Sequence, residues 1–280
     1  MEMSNPPVTQ SSAWRIDPPH GARFPNLGSQ QFSVWSEFAK QTLDFILASL
    51  LLILLFPVIL VAGLLIKLTS RGPIFFCQTR LGRFGKPFTI YKLRTMRHLC
   101  ERDSGPQWSK PGDTRITWIG RILRGTHVDE FPQLLNVLRG EMSLVGPRPE
   151  RPEFLPALEK AVPYYKQRLL VKPGITGLAQ VQLPPDTDMN SVRRKLAYDL
   201  FYVSRRQVWL DLRLICCTAM QSLFIPRFLV GSVLRIPGGD KVERPYFEAS
   251  SELHLSSDVE ESMNVETPME SEAQAQFQSA

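Results

Sequence analysis

From Phe45 to Ile66 the chain carries no charged residue, a run of 22 positions bounded by Asp44 and Lys67. A helix rising 1.5 Å per residue over that length covers a hydrocarbon core of about 30 Å, so the run predicts a membrane-embedded helix. Pro57 lies near its middle, where the missing N–H and a ring pressed against the carbonyl of Ile53 predict a bend or a break. Ser49, the only hydroxyl in the run, sits too far back to reach that carbonyl. A straight helix would carry the N-terminal arm across the bilayer and a broken one would turn back, and the apolar pattern by itself leaves both open. Arg71, Arg80, Arg83, Lys86, Lys92, Arg94 and Arg97 follow the run, and the positive-inside bias puts them on the cytoplasmic side.

Beyond the run the apolar period shortens. Gly72-Pro73-Ile74-Phe75-Phe76 and Phe88-Thr89-Ile90-Tyr91-Lys92-Leu93 read as two extended pieces, and Gly82-Arg83-Phe84-Gly85-Lys86 between them has turn character, which predicts a small hairpin. A loop around Pro106 and Pro111-Gly112-Asp113 precedes an amphipathic stretch, Ile116–Leu123. In 152–170, Phe154, Leu155, Leu158, Tyr164, Tyr165 and Leu169 alternate with Lys160, Lys166 and Arg168, the composition of helices lying in a membrane interface. The organisation expected is a flexible arm over 1–36, a membrane helix–break–helix over 37–70, a catalytic domain over 71–235 and a disordered acidic tail over 236–280.

Charge sharpens the picture. The last forty residues hold nine acidic side chains against Lys241 and Arg244, a net of −7, so residues 1–240 carry +13 within a total of +6. A basic body suits anionic lipid head groups or a nucleotide-linked phosphate. Nucleic acid is not expected, because no zinc-finger spacing, basic zipper or aromatic RNA-binding signature accompanies the charge. Cys77, Cys100, Cys216 and Cys217 show neither metal-ligand spacing nor the density of a disulfide scaffold, and Cys77 is assigned no chemistry.

The candidate chemistry centres on Asp129-Glu130, adjacent carboxylates in a segment crowded by arginines. An Asp-Glu pair followed by Pro132 and the apolar positions 134, 135 and 138 also reads as a helix start, so capping and catalysis could share Asp129. In Gly146-Pro147-Arg148-Pro149 the flanking prolines stiffen the backbone under a guanidinium suited to phosphate oxygens. In Lys172-Pro173-Gly174-Ile175-Thr176-Gly177 the glycines allow tight turns or a close backbone approach.

Taken in order, the apolar run, Lys67-Leu68-Thr69-Ser70-Arg71-Gly72-Pro73, Tyr91-Lys92-Leu93-Arg94-Thr95-Met96, Asp129-Glu130, Gly146-Pro147-Arg148-Pro149, Lys172-Pro173-Gly174 and Tyr198-Asp199-Leu200 resemble the bacterial sugar transferases. These are small monotopic phosphoglycosyl transferases acting on polyprenol phosphate. The resemblance covers about Lys40 to Met220 and implies a mostly helical α+β fold. That fold has a re-entrant membrane helix broken at Pro57, interfacial amphipathic helices and a small β-sheet.

The activity implied is transfer of a sugar-1-phosphate from a UDP-sugar to polyprenol phosphate, undecaprenyl phosphate in bacteria, with release of UMP. This reaction begins assembly of an exopolysaccharide, capsule, O-antigen or glycoprotein glycan. The location implied is the cytoplasmic face of the inner membrane, among anionic lipids and, downstream, other glycosyltransferases.

By the resemblance Asp129 is the nucleophile and a metal ligand for Mg²⁺, and Glu130 is its catalytic partner, orienting the metal or accepting a proton. Arg148, Arg124, Lys92 and Arg94 are the expected phosphate contacts. Two departures from the family pattern stand out. Gln41 follows Lys40 where two adjacent basic residues are common, which weakens the lipid-phosphate contact expected there, and His127 stands where Ser is frequent and is a candidate for tuning the site.

Overall fold

The computed structural model describes residues 34–98, 100, 112–184, 186, 188–222 and 225–251. Most of the expected N-terminal arm, most of the loop before Ile116 and the tail beyond 251 lie outside the described residues.

Helix α1, Val34–Thr69, contains the apolar run and continues in helical form through Pro57. The expected break is therefore corrected: proline removes one hydrogen bond, and the helix is held on both sides of it. The holding surface is a stripe of Ala48, Leu52, Leu55, Ile59, Ala62 and Ile66, spaced alternately four and three residues apart, which packs on the rest of the protein on both sides of Pro57. Ser49 bonds back to the carbonyl of Phe45 at 2.8 Å.

The opposite face bares Phe45, Leu50, Ile53, Leu54, Leu60 and Leu64. Each such side chain left in water forgoes roughly 2 kcal/mol of burial, which on one helix is far too much for an aqueous surface. Only 17% of the most apolar window is buried, which separates α1 from the core helix of a soluble protein and marks the chain as membrane-associated.

The body beneath α1 is mostly helical with two small sheets. Strands β1, Phe75–Leu81, and β2, Pro87–Leu93, pair antiparallel from Phe75 opposite Leu93 to Leu81 opposite Pro87. This is the expected hairpin, with its first strand displaced towards the turn. Helix α2, Trp118–Gly125, is capped by Thr117, whose hydroxyl accepts from the Gly120 amide at 3.0 Å. It buries Ile119 and Leu123 against the C-terminal half of α1 and leaves Trp118 and Ile122 exposed. A 3-10 turn over Val128–Gln133 leads into α3, Leu134–Leu138.

Strand β3, Ser143–Val145, pairs parallel with β4, Gly174–Thr176. This pairing lays the Gly146-Pro147 turn on Lys172-Pro173-Gly174: the amide of Gly146 donates to Thr176 O at 2.9 Å and that of Gly174 to Pro147 O at 2.9 Å. A Cβ on Gly146 would collide with the carbonyl of Lys172, and one on Gly177 with the carbonyl of Gly146. The glycines thus serve contact between the two loops.

The remaining helices are α4, Leu155–Ala161, α5, Leu178–Gln182, α6, Met189–Arg205, α7, Val208–Ser222, α8, Arg227–Val233, and α9 over 240–251. Two sequence expectations are corrected here. The 152–170 segment does not spread its apolar residues over a membrane interface; Leu158, Val162, Tyr165 and Leu169 are buried, and Leu158, Val162 and Tyr165 share a core cluster with α6. The tail is ordered further than expected: α9 buries Val242, Tyr246 and Ala249, and Glu243 pairs with Arg194 at 2.9 Å. Its three apolar side chains recur at helical spacing and were masked by the acidic composition around them.

Candidate active site

The Asp129-Glu130 segment hangs between α1 and β2. Val128 and Phe131 pack into the apolar cluster formed by the C-terminal half of α1 and α2, which anchors the 3-10 turn on the membrane helix. His127 precedes it with φ 58, a left-handed conformation uncommon for a residue bearing a Cβ. Asp129 and Glu130 lie in the first turn of this 3-10 helix, so the helix-start reading holds, but the N-cap is His127 and neither carboxylate caps the turn.

Glu130 is fully engaged. Its Oε1 receives Lys92 Nζ at 2.7 Å and Arg148 Nη2 at 2.8 Å, and Arg148 Nη1 lies 3.5 Å from Oε2. Burial opposes its charge, but the cations of Arg148 and Lys92 outweigh burial and hold the carboxyl well below the usual carboxylate range. Asp129 is 7% exposed, and among the described residues no hydrogen bond or ion pair ties its carboxylate down. Burial, reinforced by the charge of Glu130, pushes its pKa up to about 6 against the pull of Lys92, Arg124 and Arg148.

Both carboxylates line a cleft of about 1090 Å³, together with Lys92, Arg94, Arg124 and Arg148. The Arg148 side chain is still 41% exposed, so it reaches Glu130 and a ligand from the same position. Arg124 comes from the last turn of α2, with Nε bonded to the Thr95 hydroxyl at 2.9 Å. Arg94 departs from expectation. Its terminal nitrogens donate to Arg71 O at 2.8 Å, Ser70 O at 3.0 Å and Ser70 Oγ at 2.7 Å, so it closes the C-terminal end of α1 at the cleft wall. Lys40 is no lipid contact either; it is buried, 2.7 Å from Asp211.

Several residues that build the site had no motif to mark them. Arg168 is buried, pairs with Asp199 at 2.7 Å and donates to the backbone carbonyl of Arg148 at 2.9 Å. Arg80 Nη1 reaches Pro149 O at 3.1 Å. Asn136, fully buried, donates to Thr89 O at 2.7 Å and accepts from the Tyr91 amide at 3.2 Å, fixing the strand that carries Lys92. A buried Arg or Asn in a helical segment is a signal only once its partner is known, and these partners lie tens of residues away.

Among the described residues no three His, Cys, Asp or Glu side chains converge as a ready-made metal cage. Mg²⁺ is commonly held by one or two carboxylates, with water and substrate phosphate oxygens completing its shell. The uncommitted carboxylate of Asp129 beside a cleft wide enough for a diphosphate fits that habit; Glu130, occupied by two cations, fits it less.

A model of the family described as bacterial sugar transferase matches residues 35–224, which include every element just described around the cleft. The chain belongs to that family. Among similar proteins, the UDP-N-acetylgalactosamine-undecaprenyl-phosphate N-acetylgalactosaminephosphotransferase of Aeromonas hydrophila is 39% identical over 189 residues, 68% of this chain and 44% of that protein. The UDP-glucose:undecaprenyl-phosphate glucose-1-phosphate transferase of Caulobacter vibrioides is 45% identical over 186 residues, 65% of this chain and 68% of that protein. An exopolysaccharide production protein of Rhizobium leguminosarum bv. phaseoli is 44% identical over 190 residues, 66% of this chain and 94% of that protein. The chain of this bacterial sugar transferase thus spans less than half of the first relative and about two thirds of the second.

Proposed function

We propose that this bacterial sugar transferase moves a sugar-1-phosphate from a UDP-sugar to undecaprenyl phosphate through a phosphosugar carried on Asp129, releasing UMP. The carrying observation is the division of labour between neighbouring carboxylates: Glu130 is locked by Lys92 and Arg148, while Asp129 faces the cleft uncommitted.

In the first step a carboxylate oxygen of Asp129 attacks the phosphorus bearing the sugar. The bond from that phosphorus to the bridging oxygen breaks, and UMP departs with the electron pair. In the second, a phosphate oxygen of the lipid attacks the same phosphorus and restores the carboxylate, leaving the sugar on a lipid diphosphate. Arg148, Lys92 and Arg124 offset the repulsion between Asp129 and the anionic substrate and stabilise charge on the departing UMP. Glu130, held ionised, is a poor proton acceptor; its task is to orient the two cations. A bound Mg²⁺, held by Asp129 and substrate phosphate oxygens, would supply further charge neutralisation at the diphosphate.

The packing of α1 supports one bilayer geometry. Its packing stripe stays on the body over the whole apolar run, so a crossing helix would draw the charged body into hydrocarbon with it. A helix sunk into one leaflet, both ends cytoplasmic, avoids that cost. It sets the exposed faces of α1 and of Trp118 and Ile122 in the membrane, beside the cleft where a lipid phosphate arrives. The product is the first lipid-linked sugar of a glycan such as an exopolysaccharide, handed to later glycosyltransferases.

The test uses purified protein and a panel of UDP-sugars without lipid. The expected outcome is UMP released up to one equivalent per enzyme and a phosphosugar on the Asp129 peptide, with turnover only after undecaprenyl phosphate is added. UMP release that always needs lipid, with no adduct, would establish direct transfer; no UMP from any UDP-sugar would remove the reading altogether.

A further inference from the structure

The short strand β3 ends at Val145, three residues before Arg148, and its end is gripped by side chains from two distant helices. The carbonyl of Val145 accepts from Lys40 Nζ of α1 at 3.3 Å and lies 3.0 Å from the Tyr202 hydroxyl of α6, whose single proton it shares with Asp211. Asp211 of α7 joins both donors, with Oδ1 2.7 Å from the Tyr202 hydroxyl and Oδ2 2.7 Å from Lys40 Nζ. Asp44, one helical turn after Lys40 and 3.7 Å from its Nζ, accepts from the amide of Leu144 at 3.2 Å. All four side chains are buried. On the far side of the turn Asp199, one helical turn before Tyr202 on α6, holds Arg168 against the carbonyl of Arg148. The backbone from 144 to 148 is therefore bracketed by α6 on both sides and tied to the membrane helix through Lys40 and Asp44, which end where the charge-free run begins.

Resting on the proposed phosphotransfer, we propose that Lys40, Asp44, Asp211 and Tyr202 form a clamp of positioning residues that seats Arg148 in the cleft according to how α1 is seated in the membrane. The geometry makes the coupling direct. β3 is only three residues long and is hydrogen-bonded as a strand to β4 alone; the amide of Leu144 takes its partner from the clamp, and the carbonyl of Val145 is shared between the clamp and the Ser143 hydroxyl of its own strand, 2.9 Å away. A rotation or shift of α1 moves Lys40 and Asp44 together, since they lie one turn apart on one face, and the strand end follows. Arg148 bonds Glu130 from the next turn of chain, and small errors in placing a phosphate-binding guanidinium cost rate more than they cost fold. A charge on this face of α1, which the sequence suggested for a lipid phosphate, thus works inside the protein.

The test combines Tyr202→Phe, which keeps the ring and removes the hydroxyl, with Lys40→Met, each alone and with Arg148→Lys, in full-length protein reconstituted in nanodiscs. In a burst with UDP-sugar and no undecaprenyl phosphate, the amplitude counts competent enzyme and the rate constant reports chemistry. Each clamp variant should keep the amplitude and lose about tenfold in rate, and in the Arg148→Lys background the further loss should shrink to about twofold or less, because the clamp acts through Arg148. Hydrogen exchange of the 143–149 peptide should quicken by about tenfold in both variants while peptides of α9 stay unchanged.

A wild-type burst rate, a loss in amplitude alone, or losses that multiply fully with Arg148→Lys would overturn the clamp. If wild-type protein releases no UMP from any UDP-sugar, the functional reading fails by itself. The exchange measurement then decides the clamp, and unaltered exchange at 143–149 overturns it.

Discussion

Asp129 and Glu130 are neighbours in sequence and opposites in electrostatic circumstance. Glu130 receives Lys92 at 2.7 Å and Arg148 at 2.8 Å, while Asp129, equally buried, has no such partner among the described residues. One carboxylate is fixed in its ionised form as an anchor, and the other is raised in pKa and left available for bond formation.

Replacing Arg148 with Lys keeps a positive charge but loses the fork that spans both oxygens of Glu130 and that is proposed to reach phosphate. The expected loss is about 2–4 kcal/mol of transition-state stabilisation, roughly 30- to 1000-fold in rate, with the fold retained. Burst kinetics beside a thermal melt measure both, and a wild-type rate would reduce Arg148 to a turn residue.

Acid should switch off the first half-reaction earlier than an ordinary aspartate would allow. With Asp129 titrating at about 6, the burst rate should fall tenfold for each pH unit below that value, whereas an unperturbed carboxylate would keep its rate down to about pH 4. A burst rate flat from pH 7 to 4.5 would show that Asp129 is not the group that attacks.

Asp129→Asn should abolish the adduct and stabilise the protein. The folded-state pKa lies above the ordinary value of 3.8, so between 3.8 and about 6 the folded form binds more protons than the unfolded form, and stability falls as pH rises through that window. At pH 7 the shift corresponds to about 3 kcal/mol that the amide no longer loses, an upper figure that should vanish below about pH 4. Melting curves of both proteins at pH 7 and pH 4 check the sign; an Asn variant less stable at pH 7 contradicts it.

Gly146→Ala should damage the fold itself, because the new Cβ meets the Lys172 carbonyl, a backbone atom that cannot swing away. Loss of the β3–β4 pairing would expose buried backbone, and low yield or a strongly lowered Tm is expected. Gly125→Ala, with nothing within 4 Å of the added atom, should be tolerated and serves as the control.

Cysteines introduced at Trp35 and Lys86 test the bilayer geometry, since both positions are exposed and they lie on opposite sides of the apolar run. Both should react with an impermeant maleimide only after the membrane is opened. Labelling of the Trp35 site in intact cells would show that α1 crosses.

The elements whose signal is local were legible before the structure. The charge-free run gave the long apolar helix, the two aromatic and β-branched pieces gave the hairpin, and the ordered motifs gave the family. The errors share a physical cause. Pro57 was read as a break because a proline acts locally on one hydrogen bond, whereas the packing stripe that carries the helix through it belongs to contacts with the body. Leu158, Tyr165 and Leu169 looked like an interfacial face because amphipathicity records that a face is apolar and not what covers it. Arg94 and Lys40 read as phosphate contacts because a cation in sequence has no visible partner, and here the partners are the end of α1 and Asp211.

By itself, then, the sequence determined the residue types near the reaction and the membrane habit of the chain, since these follow from composition and spacing over short stretches. Only the tertiary structure decided which carboxylate is engaged and which is available, because that depends on Lys92 and Arg148 arriving from 38 and 18 residues away. A charge acquires its pKa and its task from the burial and the partners around it, and those are properties of the folded chain.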